Sequence, residues 1–194
     1  MQSIWFYLVS YFVHVRRLSV LAIKACSYII LNILVLNNLP LTSSDFILPF
    51  VLIILTHMVL CYWLVRYAEE SLFFLRNLPL SIFRIIFLYL FTYAVLFLPE
   101  LLFLLSYISE NTSWLDALTF YSILVMTMLL FTSVQYNDQM DMNEYVKVVF
   151  LVSFVMIFFL LSKTYLVLLA AELGISILLF VASYYKYEST KSES

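Results

Sequence analysis

The chain has 194 residues, 65% of them hydrophobic and 11% charged, with a formal net charge of −2 and a mean hydropathy of +1.04. Soluble domains carry about 25% charged residues, so this chain has too little polar surface to cover a soluble core, and its near-neutral charge gives no footprint for a nucleic-acid partner. A single glycine, Gly174, excludes a P-loop, a Rossmann turn and a serine-hydrolase elbow on this chain, because each needs more than one.

At about 20 apolar residues per crossing, the sequence accommodates about six helices and little else. Strand alternation is absent, so the expected fold is all-α: a polytopic membrane helix bundle. Residues 4–17 begin with the aromatic run IWFYLVSYFVHV and close on Arg16 and Arg17. The run is too short to cross, and its positive charge follows the apolar part, which is the wrong order for a secretory signal. It predicts an interfacial helix with Trp5, Tyr7 and Tyr11 at headgroup level.

Spans follow near 18–37, 46–66, 82–107, 117–135, 146–162 and 165–184, with a polar tail at 186–194. Lys24 lies near the start of the first span, from where it can snorkel toward Arg16 and Arg17. The loops at 37–45 and 109–116 carry no Lys or Arg, whereas Arg66, Arg76 and Arg84 cluster between the second and third spans. The positive-inside rule therefore places both termini in the cytoplasm. Lys163 falls on the outer side of this scheme, which leaves the last two spans open to a reading as a broken or re-entrant pair. The chain is expected to be a multi-pass protein of the cell (inner or plasma) membrane.

The stretch YAEESLFFLRNLPLSIFRI, residues 67–85, interrupts the apolar runs. Glu69 and Glu70 sit where a short helix would begin and Arg76 where it would end, the charge order a helix dipole favours. Leu72 and Phe73 belong to an apolar run between them, Asn77 and Pro79 would stop the helix, and Ser81 would cap the next. A Glu-Glu pair also marks intramembrane proteases that cleave prenylated proteins. The match fails, because Arg76 is too far from Glu70 and both histidines, His14 and His57, precede the pair.

The order Glu70, Ser71, Leu75, Leu78-Pro79-Leu80-Ser81 and Arg84 resembles the permease subunits of type-two ABC exporters. The layout is similar to that family too: an N-terminal elbow helix, six spans, and cytoplasmic loops after spans two and four. The resemblance implies a permease that works in export, as no region for docking a substrate-binding protein is evident; without a nucleotide-binding motif, no enzymatic activity is expected on this chain. It implies a cytoplasmic ABC ATPase subunit as partner and a second permease copy or related permease beside it in the lipid bilayer. No cofactor is expected on this chain, ATP being handled by the partner. ATPase docking would fall to Glu69, Glu70, Leu72, Phe73, Arg76 and Pro79 in the first loop. In the second it would fall to a coupling helix over 137–144, with Asp138, Met140, Asp141 and Glu144. The alternative is a multispan scaffold or assembly subunit with no transport path.

Two acids fall inside predicted spans. Glu100 follows Pro99 and Glu172 precedes Gly174. Intramembrane ionisable groups commonly face a bundle interior or a wet path, so each is a candidate for a substrate path or subunit interface. The plain alternative is a protonated or hydrogen-bonded packing residue, with Asn32, Thr119, Ser122 or a backbone carbonyl as candidate partners. Glu100, nearer the outer end, could partly reach the headgroups. His57 and Cys61, four apart, share a helix face, but no third ligand accompanies them and no metal site is expected. Cys26 and Cys61 lie in apolar runs and read as packed thiols.

Overall fold

The computed structural model describes residues 4–36, 43–70, 81–106, 113–138 and 140–191, and all its regular elements are helical. They are α1 (Ile4–Ser10), continued by a π-helical turn (Tyr11–Val15), then α2 (Arg17–Leu36), α3 (Ser44–Glu70), α4 (Ile82–Leu96), α5 (Leu98–Ser106), α6 (Trp114–Asp138), α7 (Met142–Leu161) and α8 (Tyr165–Lys191). Five of them, α2, α3, α6, α7 and α8, are long and apolar enough to cross a membrane. α4 and α5 pass the same test only as a pair, bent by 47° at the break between them. The chain is a multi-pass membrane helix bundle.

The bend falls where the sequence put an unbroken third span. Phe97 ends α4 with φ −96° and ψ 5°, and Pro99 has no N–H to donate back into α4. The last two helices, read above as a candidate broken pair, are instead each of crossing length and are joined by a tight turn. There, Thr164 N–H donates to Phe159 O (3.1 Å) and Lys163 N–H to Leu160 O (3.1 Å). These are the two bonds of a Schellman motif, with Lys163 at φ 58° in the position that glycine fills most easily.

α6 is the most buried of the long helices and packs on α8, α3, α4 and α5. It carries Thr127, Thr132 and Ser133 fully buried. Buried hydroxyls in a membrane helix need a partner within the protein, and each lies against a carbonyl of its own helix, those of Ile123, Met128 and Leu130, at 2.7–2.8 Å. Large apolar side chains face outward: Phe83, Phe87 and Phe91 along α4, Phe154 and Phe158 on α7, and Leu166 and Leu178 on α8. In lipid that exposure carries no hydrophobic penalty, and helix association rests on packing and interhelical polar contacts. Gly174 serves no close approach, since a Cβ there would meet nothing within 4 Å.

The N-terminal element is a separate unit, set off from α2 by the break at Arg16. It does not simply float at headgroup level. Leu8, Tyr11 and Phe12 are buried. Tyr11 stacks on Tyr67 of α3 with ring centroids 4.1 Å apart, and Arg16 lies 4.7 Å over the Trp63 ring.

Candidate functional site

The densest polar feature lies inside the bundle, at the α4–α5 break. A helix end leaves carbonyls without intrahelical donors, and with α4 ending at Leu96 its carbonyl accepts a hydrogen bond from Lys24 Nζ of α2 at 2.7 Å. The same ammonium donates to both oxygens of Glu100, each at 2.7 Å. Glu100 stands in the first turn of α5. The cation therefore sits at a helix C-terminus and the anion at a helix N-terminus, each where the dipole favours it.

His57, midway along α3, completes the cluster. Its Nε2 is 3.6 Å from Glu100 Oε1 and its Nδ1 2.8 Å from Ile53 O. Ser27 Oγ of α2 lies 3.5 Å from the ring nitrogens. The Phe97 ring packs against both side chains, 4.5 Å from Lys24 Nζ and 4.7 Å from the His57 ring. Side-chain exposure is 13% for Lys24, 3% for Glu100 and 0% for His57. Lys24 thus turns inward instead of snorkelling, and Glu100 does not reach the headgroups. Both expectations overlooked that each group gives the other a counter-charge inside the bundle.

Glu172 occupies a different seam. It is 2% exposed. Its Oε1 lies 2.8 Å from Thr127 Oγ1 of α6, and that hydroxyl lies 3.5 Å from Met156 Sδ of α7. Glu172 Oε2 has no partner, and neither does Ser153 Oγ one turn before Met156 on α7. Thr127 was not among the partners the sequence offered.

His57 and Cys61 lead to separate contacts despite their spacing. Cys61 Sγ meets Met128 of α6, 3.5 Å from its carbonyl and 3.4 Å from its sulfur. Among the described residues no group of three or more His, Cys, Asp or Glu is placed to hold a metal. Cys61 is buried and free, whereas Cys26 is exposed on the outside of α2 and so is not a packed thiol.

The docking residues fare unevenly. Glu69 and Glu70 do not start a helix: they are the last residues of α3, which continues past Arg66. Acids at a helix C-terminus oppose the dipole, and Glu70 is held by Arg66 Nη1 at 3.2 Å, an exposed pair of small energetic weight. Leu72, Phe73, Arg76 and Pro79 lie outside the described residues. Ser81 caps α4 as its position predicted, accepting from Arg84 N–H at 3.4 Å.

Among the described residues there is no separate helix over 137–144. Asp138 closes α6, Asp141 caps α7 by accepting from Glu144 N–H at 2.8 Å, and Glu144 lies in the first turn of α7. The Asx-type cap at Asp141 restarts a helix at once, so the acids of this region are a cap and a first turn. Met140 is half-buried, and its carbonyl accepts from Gln135 Nε2 at 3.0 Å.

These pieces still meet at one end of the bundle. Tyr145, four residues into α7, donates to Met58 O at 3.2 Å and packs on Tyr62 at 5.6 Å. Tyr67, one turn further along α3, carries the N-terminal element, and α1 also touches α4. The C-terminal third of α3 therefore joins the N-terminal element and the start of α7. No family model, no curated protein and no solved structure matches this chain.

Proposed function

We propose that this chain is the transmembrane permease subunit of an ABC transporter, working in export and coupled to a separate ATPase at the end of the bundle where α3 finishes. One observation carries the reading. The N-terminal element, the end of α3 and the α6–α7 turn share one platform through Tyr11–Tyr67 and Tyr62–Tyr145. A partner pressing there would move α1, α3, α4 and α7 together. Arg16, Arg17, Arg66, Arg84 and Lys147 lie toward this end, which supports reading it as the cytoplasmic face under the positive-inside rule. On this reading the chain resides in the cell membrane, is not itself an enzyme, holds no cofactor, and pairs with a second permease. ATP is hydrolysed by the partner.

The brevity of the α6–α7 turn favours a second reading. α6 runs to Asp138 and α7 starts at Met142, with no independent coupling helix among the described residues, so the same platform would suit a scaffold or assembly subunit with no transport path. Purification of the tagged full chain from native membranes separates them. The permease reading expects a Walker-motif ATPase, identified by mass spectrometry, to copurify, and to be lost when Glu70, Asp141 and Glu144 are replaced by Lys. Reconstituted complex should then hydrolyse ATP with substrate dependence. A stable complex without that activity supports the scaffold, and no copurifying ATPase defeats the permease reading.

A further inference from the structure

The Glu172 seam contains more short polar contacts than one hydroxyl proton can serve. Thr127 Oγ1 lies 2.7 Å from Ile123 O and 2.8 Å from Glu172 Oε1. A hydroxyl has one proton to donate, and the Ile123 carbonyl has none. If the hydroxyl proton points to Ile123, the Glu172 contact needs a proton from the carboxyl. If it points to an ionised Glu172, the 2.7 Å contact sets two bare oxygens against each other. In that second arrangement Glu172 would also be a carboxylate with one hydrogen bond and a naked Oε2.

The surroundings offer no compensating charge. α6 presents Thr127, α7 presents Met156, and on α8 itself Ser176 Oγ bonds the backbone carbonyl of Glu172 at 2.7 Å. Among the described residues no Lys, Arg or His forms an ion pair with Glu172. An uncompensated charge in the bilayer interior is strongly disfavoured and is normally removed by a proton.

We propose that Glu172 is held as the neutral carboxylic acid, with its O–H donated to Thr127, so that the α6–α7–α8 seam is a proton-binding site inside the membrane. Thr127 relays the chain of donation to Ile123 O, and Oε2 remains as a carbonyl oxygen. The unpartnered Ser153 hydroxyl on the buried face of α7 adds a second polar group to the same three-helix region. The proton is the ligand. The inference is independent of whether an ATPase docks on the other parts of the bundle.

Infrared spectroscopy of the purified full chain at neutral pH tests it. A neutral carboxyl absorbs at higher frequency than amides and carboxylates, and the exposed acids are ionised at that pH. The wild type should show this absorption. It should disappear in Glu172→Gln, persist in Glu100→Gln, and shift in Thr127→Val, which keeps the acid but removes its acceptor. The Thr127→Val shift assigns the band even if Glu172→Gln does not fold. Absence of the band from the wild type overturns the proposal, as does a band that neither substitution at the seam changes.

Discussion

Glu100 and Glu172 are both about 2% exposed in the interior of an apolar bundle, yet their surroundings differ in every respect. Glu100 has Lys24 on both oxygens, His57 beside it and a helix N-terminus behind it. Glu172 has one threonine, one sulfur nearby and an oxygen that meets nothing. The backbone makes the difference. At the α4–α5 break, Pro99 and the end of α4 free carbonyl groups and two oppositely signed helix ends face one region. That gives both charges a place. α8 runs unbroken past Glu172, so its backbone is fully engaged and offers the side chain nothing. In a membrane a buried charge needs a broken helix or a counter-charge, and Glu172 has neither.

Breaking the ion pair gives the largest expected effect. Lys24→Met takes from Glu100 the group that holds both of its oxygens and should lower stability by about 3–5 kcal/mol, the range for removing one partner of a buried pair. It should also drive Glu100 to the neutral form proposed for Glu172. A second neutral-carboxyl absorption would appear in that variant, and its absence would show that the two acids are not distinguished by Lys24. Thr127→Val removes a single interhelical contact and should cost about 1 kcal/mol in thermal or denaturant unfolding, within the span of such bonds in membranes. A loss as large as that of Lys24→Met would mean that Glu172 is charged.

Gly174→Ala, two residues from Glu172 but facing open space, should raise stability by about 0.5–1 kcal/mol, the usual gain for a helix-interior glycine. A loss there would mean that the α8 surface packs on something. Smallest of all, Glu172→Gln should change stability by less than about 0.5 kcal/mol, because an amide resembles a neutral acid and keeps a donor for Thr127. The contrast with Lys24→Met is the signature of one ionised and one neutral acid.

Much of the fold was legible from residue type alone. Long apolar runs fall within a few residues of the long helices, and Ser81 announced the start of α4. The break at Phe97 was not read, although Pro99 followed by an acid inside an apolar run was a usable signal. Lys24 and Glu100 lie 76 residues apart. No local pattern joins them, and only the rule that opposite intramembrane charges seek each other could have. Glu69 and Glu70 misled because their charge order suited a helix start, whereas α3 simply runs on through Arg66. The acidic stretch 137–144 misled in the same manner: Asp141 is a cap, and a cap needs no helix of its own. Thr127 gave no sign, since a threonine in an apolar helix ordinarily satisfies itself on its own carbonyl.

The most direct test of the contrast between the two acids is a double-mutant cycle on Lys24 and Glu100, read by reversible unfolding in mixed micelles. Lys24→Met and Glu100→Gln should each destabilise by several kcal/mol, about 3 or more, while the double variant recovers most of that loss, because it leaves neither charge alone in the interior. Strictly additive losses, with no recovery in the double variant, would contradict the account: the two side chains would then be independent, and Glu100 would be no different in kind from Glu172.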